Sequence, residues 1–512
     1  MRNHLKSRHQ ISVESAPIHQ LQQLYIKAQS FGQTQNIDTK VFQRILSQDV
    51  IDEAIEQSWQ AQKDIVQKKL QSASLSIHLS LDIWTSPNRI LFLGICAHFV
   101  EQTQEKLCKG LLALRTVGNH SGDEQFATLL PVLKDYGTQQ KIGSIICDNH
   151  TTNDKLCRVL GNYLQEEEGI TWNSTYRRIF CIGHVINLAM QAFLFQNMLE
   201  MKQLSSWDEI ETTEDEGQEE DKLQRQATIH KIGPLGKLHN IVTHVRGSAD
   251  RTKEFKDLAG RLIPLDNRTK WNSWYYMLHV ALQFDGAINT YTKRHFAVLK
   301  TEYLSPLDWE MLHRTSKFLS LFDRATLKTQ GDQATIDNVL FVMDIIIKHF
   351  EKALIQNGEL EKELAKACIT EGEEALGGVS AKTPNYMVIQ SYERNTQDLN
   401  DFDLITQDLG KFARPASQDK YEDYNSESPY KVRMSALTWW CQDQQQKRWP
   451  RLSYMAIDIL SIPAMSDEPE RAFSGARRTI SWERVQLSAE NIERIECLKT
   501  GKRVGLQRRN TS

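Results

Sequence analysis

The sequence predicts an α/β domain followed by a large all-α block, with a further helical stretch near the C-terminus. Three observations predict it. Apolar residues alternate strictly from Leu75 to Ile83, the segments up to residue 200 run β-β-β-α-β-α-β-α, and helical periodicity dominates 222–376.

Residues 10–72 are rich in Gln, Lys and apolar side chains, lack Pro or Gly clusters, and read as a helical N-terminal region. In SLSIHLSLDIWTS, the residues Leu75, Ile77, Leu79, Leu81 and Ile83 take one face of a strand, which leaves His78, Ser80, Asp82 and Trp84 on the other. Segments 90–101 and 106–118 are further strands with short connections, which predicts an antiparallel meander. Segment 123–137 opens with acidic residues and closes at Gly137, as a helix does. Residues 141–149 form a short apolar strand ending in polar residues, and TTNDKLCRVLGNYLQE (151–166) is a helix with a Thr cap. RRIFCIG is a last strand running into the helix HVINLAMQAFLF. Three antiparallel strands followed by α/β crossovers is the chain order of a ribonuclease-H-like fold.

Beyond it, 208–221 carries nine acidic residues among fourteen and no base, so 201–221 reads as a solvated acidic linker. The all-α domain spans 222–376, with ATIDNVLFVMDIIIKHFEKAL its clearest amphipathic helix. Residues 377–431 lose periodicity and read as a disordered linker, 432–500 are again apolar and helical, and 501–512 form a basic tail.

Composition narrows the class. With 512 residues, 40% hydrophobic and 25% charged, the chain is neither collagen-like nor wholly disordered. Eight scattered cysteines without a CxxC pair point to a reduced, intracellular setting. No signal core and no apolar run of membrane length occurs, so no membrane partner is expected. A formal charge of −3 gives no global sign of nucleic acid, and any such contact has to come from local patches.

Two carboxylates stand at strand exits: Asp82 in LDIWTS and Asp148 in CDNHTTND. If their strands are neighbours, both project from one region, and paired carboxylates suit Mg²⁺ and phosphodiester cleavage, for which a third carboxylate is normally needed. Either Asp alone reads equally well as a turn or helix cap. Cys181 and His184 form a CxxH, half of a zinc site without a second pair, and His4 and His9 have the spacing of the second half of a zinc finger without its cysteines. In DNRTKWNSWYYML, Arg268, Lys270 and Trp271 interleave with Trp274, Tyr275 and Tyr276, which suits either single-stranded nucleic acid or a helix start with an aromatic core face. From 470 to 509 there are ten Arg/Lys against five Glu, so this segment, with Arg471, Arg477 and Arg478, is a candidate phosphate-facing patch.

These motifs, taken in order from about residue 75 to 498, resemble the hAT superfamily of DNA transposases, fungal members in particular. LDIWTS, CDNHTTND, FCIGHVINL and RTKWNSWYYM come first. LTWWCQDQQQKRWPRLSYMAIDILSIPAMSDEPERAFSGARRTISWERVQLS follows and resembles the hAT C-terminal dimerisation region. The resemblance implies a ribonuclease-H-like core (73–200, completed by 432–500) interrupted by a large all-α insertion domain. It implies a DDE triad of Asp82, Asp148 and Glu470 on Mg²⁺ or Mn²⁺, with Glu468 and Asp154 as poorer substitutes. It further implies that Cys181 and His184 help organise DNA and that Trp271 stacks on a base at the cleaved end, with Lys270 standing where Arg is frequent. DNA and a second copy of the chain (a homodimer or higher oligomer) are the implied partners, and the nucleus is the implied location. The implied chemistry is metal-dependent cleavage at element ends, with hairpins on the flanking DNA, followed by strand transfer.

One departure stands out. Family members often begin with a BED zinc finger, and His4 and His9 (residues 1–9) look like the remnant of one that lacks both cysteines, in a chain that starts a few dozen residues late. Zn²⁺ is expected only if upstream cysteines exist. Two alternatives remain: a domesticated, non-enzymatic nuclear protein that binds DNA and dimerises, and a stand-alone ribonuclease-H-like nuclease, against which the long insertion argues.

Overall fold

The computed structural model describes residues 48–195, 229–356, 434–479 and 488–503 together with Tyr424, apart from short gaps at 74, 87–88, 102–105, 231, 267–270 and 331–333. The expectations for His4, His9, the acidic linker, the 377–431 linker and the basic tail fall outside the described residues, Tyr424 and the first three residues of the tail excepted. In chain order the longer elements are α1 (Gln48–Gln71), β1 (Ile77–Thr85), β2 (Leu91–Glu101), β3 (Lys106–Val117), α2 (Gly122–Tyr136), β4 (Ile142–Cys147), α3 (Thr151–Glu167) and β5 (Arg178–Phe180). A helical series follows: α4 (Ile182–Phe195), α5 (Pro234–Arg246), α6 (Ala249–Ala259), α7 (Trp271–Ala281), α8 (Asp285–Arg294), α9 (Pro306–Thr329) and α10 (Ile336–Gln356). The C-terminal stretch contributes α11 (Pro450–Ile459), α12 (Asp467–Thr479) and α13 (Ala489–Arg503). The chain divides into two compact units, one combining residues before 180 with those from 432 onward, the other spanning 180–431.

The first unit is a mixed sheet in the order β3-β2-β1-β4-β5. β1–β2 and β2–β3 are antiparallel, as the short connections predict, whereas β1–β4 is parallel, with α2 leading from β3 into β4. Local chemistry fixes the crossover helices. The Ser121 hydroxyl accepts the Glu124 N–H to start α2, and Gly137, at φ 64°, ends it in the left-handed conformation that glycine tolerates. For α3 the expected Thr cap is corrected: the imidazole of His150 accepts the Thr152 N–H, and Thr151 already lies inside the helix.

One face of the sheet buries Leu79, Leu81 and Ile95 against Leu133 of α2 and Leu160 of α3. The opposite face, which β1 patterns as polar, is not open to water. Phe92, Cys96 and Leu114 on that side pack against Phe473 and Ala476 of α12 and Ile492 and Cys497 of α13. His78 and Ser80 of β1 are therefore buried and paired. The Ser80 hydroxyl lies 2.8 Å from His98 Nε2, and burial pushes the His98 imidazole down to about 3, so the ring is neutral. His78 Nδ1 accepts the Ser144 N–H at 2.8 Å, so its Nε2 carries the proton and donates to the Asp458 carbonyl at 3.1 Å. Asp458 Oδ1 also accepts the Ser76 N–H, which pins α11 to the start of β1.

The second unit is helical, with Trp271, Trp274, Tyr291, Phe322 and Phe350 in its interior. Helix α9 opens with a reciprocal cap, in which the Ser305 hydroxyl takes the Asp308 N–H and the Asp308 carboxylate takes the Ser305 N–H. On α10 the buried stripe is narrower than the apolar periodicity suggests: Val339, Met343, Ile346 and Phe350 are buried, whereas Leu340 and Ile347 are exposed. Among the described residues no helix is long and apolar enough to cross a membrane.

Burial makes one carboxyl of α13 pH-sensitive. Desolvation raises Glu493 to about 7, with Glu490 adding to it; Arg115, the Leu114 N–H and Arg494 oppose the rise without overcoming it. The folded state then holds a proton that the unfolded chain releases near 4.5, so its stability contribution is full below that pH and is lost as pH rises to about 7. Thermal melts of the parent should lose on the order of 3 kcal/mol across this window from Glu493, a loss that Glu493→Gln removes. An unchanged pH profile in the variant would refute this assignment.

Candidate functional site

Asp82 lies in β1 and Asp148 immediately after β4. Ser80 of β1 is level with Ile146 of β4, the last recorded pair of that parallel ladder, and Asp82 and Asp148 each stand two residues further along. A carboxylate oxygen of Asp82 and one of Asp148 lie within 4.8 Å of each other. Both residues are half-buried. The parallel pairing of β1 and β4 therefore brings two acidic side chains together at the C-terminal ends of these strands.

The loop carrying Asp148 is held from several sides. Asp148 Oδ1 accepts the His150 N–H at 3.0 Å and the Asn153 side-chain amide at 2.6 Å. Beneath it, the buried Arg178 guanidinium donates to the carbonyls of Asp148 and His150 at 3.0 and 3.1 Å and forms an ion pair with Asp154. Asp154 is thereby committed to Arg178, which disfavours it as a substitute for Asp148. Asp82 Oδ1 takes the Ile83 N–H at 2.9 Å.

Glu470 lies on α12 and is half-buried. The cross-strand partner of Asp82 on β2 is Gly94. A methyl carbon at Gly94 would meet the Phe473 ring at 2.9 Å and Pro469 Cβ at 3.0 Å, so only a glycine lets α12 lie this close. Phe473 also stacks on Trp84, with ring centroids 5.7 Å apart. Pro469 and Phe473 flank Glu470 in sequence, so its helix crosses the face from which Asp82 projects. Among the described residues, Glu470 does not join the groups lying within 4.8 Å of one another around Asp82 and Asp148.

The neighbouring Glu468 is buried and bound to Lys109 of β3 and to Arg471 at 2.5 Å. A buried carboxylate paired with two cations is held in a structural role. Burial pushes Asp467 up to about 6; Glu468 and Glu470 add to the rise, while Arg471 and Lys109 oppose it. Arg471 bridges Asp467 at 2.7 Å and Glu468 within its own helix and keeps its guanidinium partly exposed. Arg477 is exposed, and Arg478 follows it on α12.

In the helical unit, Cys181 precedes α4 and is buried, and His184 is half-buried on its first turn. Arg268 and Lys270 fall outside the described residues. Trp271 is 1% exposed, its N–H donates to Asn187 at 3.1 Å, and its ring meets Phe322 edge-on. That ring is part of the core and has no face available to a base, which corrects its reading as a stacking residue. The sequence reading missed Gly94, Lys109, Asn153 and Arg178. Gly94 had a signal, since a glycine inside an apolar strand marks a close approach.

Two carboxylates this close fit a divalent cation such as Mg²⁺ or Mn²⁺.

Comparison with known proteins agrees with this layout. Residues 80–176 match the ZBED1 RNase-like domain, 179–318 the ZBED1 RNase-like helical domain, and 420–501 the hAT family C-terminal dimerisation region. A candidate transcriptional regulator of Talaromyces stipitatus, tpeD, is 26% identical over 482 residues, covering 85% of this chain and 54% of that protein. The zinc finger BED domain-containing protein RICESLEEPER 2 of Oryza sativa is 20% identical, covering 89% of this chain and 69% of the relative. A candidate AC transposase of Zea mays is 19% identical, with 86% and 58% covered. The chain thus spans about half to two thirds of the length of these relatives.

Replacing Gly94 with Val should push α12 off β2. Overpacking of this kind costs about 1–3 kcal/mol, so the melting temperature falls while Glu470 is displaced. Gly94→Ala should fall between the parent and Gly94→Val. A Gly94→Val protein that melts like the parent would show the contact to be dispensable.

Proposed function

We propose that this chain, which belongs to the hAT family and carries its C-terminal dimerisation region behind an RNase-like core and helical domain, is a transposase-type nuclease acting on DNA. The observation that carries the reading is the approach of the Asp82 and Asp148 carboxylates to within 4.8 Å of each other on the face that the Glu470 helix crosses.

Asp82 and Asp148 would hold Mg²⁺ or Mn²⁺, with Glu470 as the third carboxylate. Such an ion, when bound, polarises a phosphodiester oxygen and offsets the charge that develops on cleavage. The chain's own residues prepare the rest. Asn153 and the His150 N–H fix the Asp148 rotamer before substrate arrives, so little reorganisation is needed at the moment of reaction. Arg178 holds the loop from below, and Lys109 neutralises Glu468 so that the helix presents one acid to the site. Cys181 and His184 are assigned to DNA organisation, and Arg477 and Arg478 to phosphate contact. Self-association through the C-terminal region and residence in the nucleus complete the reading.

A second reading has a specific support: the name of the Talaromyces relative is that of a transcriptional regulator, and BED-type relatives match over most of this chain. Under it the chain binds DNA and dimerises without cutting. A nicking assay on supercoiled plasmid with Mg²⁺ or Mn²⁺ separates the two. The parent should nick, and Glu470→Gln and Asp148→Asn should lose activity by roughly 100-fold or more. Nicking that survives both substitutions would reject the assigned carboxylates, and a parent that binds DNA without nicking it would establish the second reading.

A further inference from the structure

We propose that a cleft between α7 and α9 binds one nucleotide of single-stranded DNA, its base on the ring of His279 and its phosphate on Lys317 and His313. The proposal rests on the reading that DNA is the partner, and it adds a site to that reading.

Helical spacing builds one wall. Trp271, Tyr275 and His279 recur every four residues on α7, so their rings form a ladder along one face. The Trp271 and Tyr275 centroids are 6.1 Å apart and those of Tyr275 and His279 5.7 Å apart, within the range of offset aromatic contact. The ladder rises from the core to the surface: Trp271 is 1% exposed, Tyr275 is 7% exposed, and His279 stands in the open. A base laid on His279 would add the next rung. The aromatic stretch of the sequence therefore retains a stacking surface, two turns beyond the tryptophan.

The other wall comes from α9, where His313, Ser316 and Lys317 lie on one face at i, i+3 and i+4. Together with Gln283 at the end of α7 they enclose about 360 Å³, a volume within the range of small-molecule sites. Among the described residues, no carboxylate lines the cleft. The nearby acids are engaged elsewhere: Asp323 accepts the Tyr276 hydroxyl at 2.8 Å, and Glu310 pairs with Arg314. Among the described residues, the side chains of Gln283, His313 and Lys317 make no hydrogen bond or ion pair. A flat ring, unpaired donors and a cation converging on one hollow match a base joined to a phosphate. An apolar ligand would leave the donors unused, and a bare anion would leave the ring unused.

Fluorescence anisotropy of a labelled single-stranded oligonucleotide on the full chain tests this. The double substitution His279→Ala and Lys317→Ala should weaken binding roughly tenfold or more, while His279→Phe with Lys317→Arg should restore it. Both positions are exposed, so thermal melts of the variants should match the parent. Equal binding by the parent and the double alanine variant would overturn the cleft and leave the DNA reading intact. A parent that binds no DNA, single- or double-stranded, would overturn both.

Discussion

The contact of α12 with β2 at Gly94 is the constraint on which the rest of the molecule depends. The absent side chain at that position lets Pro469 and Phe473 approach the strand to a distance that any Cβ would forbid. Trp84 and Phe92 then complete a stack with Phe473, and this aromatic layer seats a helix coming from the far end of the chain. A segment more than three hundred residues downstream thereby becomes part of the sheet on which Asp82 stands. The buried Lys109–Glu468 pair adds direction to that seat, because it ties the first turn of the helix to β3.

Much of this was legible in the residues. The apolar alternation in β1, with Ile77, Leu79 and Leu81 on one side, placed Asp82 on the opposite face, and the polar exit of β4 placed Asp148. Their approach follows from β1 and β4 being parallel neighbours. What local pattern could not give was the covering of the second face of β1. A strand with alternating polar residues reads as half-solvated, yet His78 and Ser80 are buried because the C-terminal helices close over them and supply partners. Trp271 shows the reverse error. Its basic and aromatic neighbours suggested a binding face, whereas the helical period sends Trp271 and Trp274 into the core and brings His279 to the surface. Arg178 carried no signal at all, since its role depends on carbonyls and a carboxylate that lie some thirty residues earlier in the sequence.

The dimerisation region and the sheet are mechanically joined. Helix α11 buries Ser453 and Ile457, and its Asp458 is tied to Ser76 and His78 at the start of the strand that bears Asp82. Burial alone would raise the Asp458 carboxyl, but hydrogen bonds from His78 and Ser76 hold it below the usual carboxylate range. On the same helix Tyr454, Met455 and Ile459 are exposed, which gives one short element a pinned side and an apolar side facing water.

The central claim is that Asp82, Asp148 and Glu470 form one divalent-metal centre. Anomalous diffraction from crystals of the full chain equilibrated with Mn²⁺ tests it most directly. A peak bridging the carboxylates of Asp82 and Asp148, with Glu470 turned toward it and lost in Asp148→Asn, is the predicted result. A Mn²⁺-saturated crystal with no peak between those two carboxylates would contradict it.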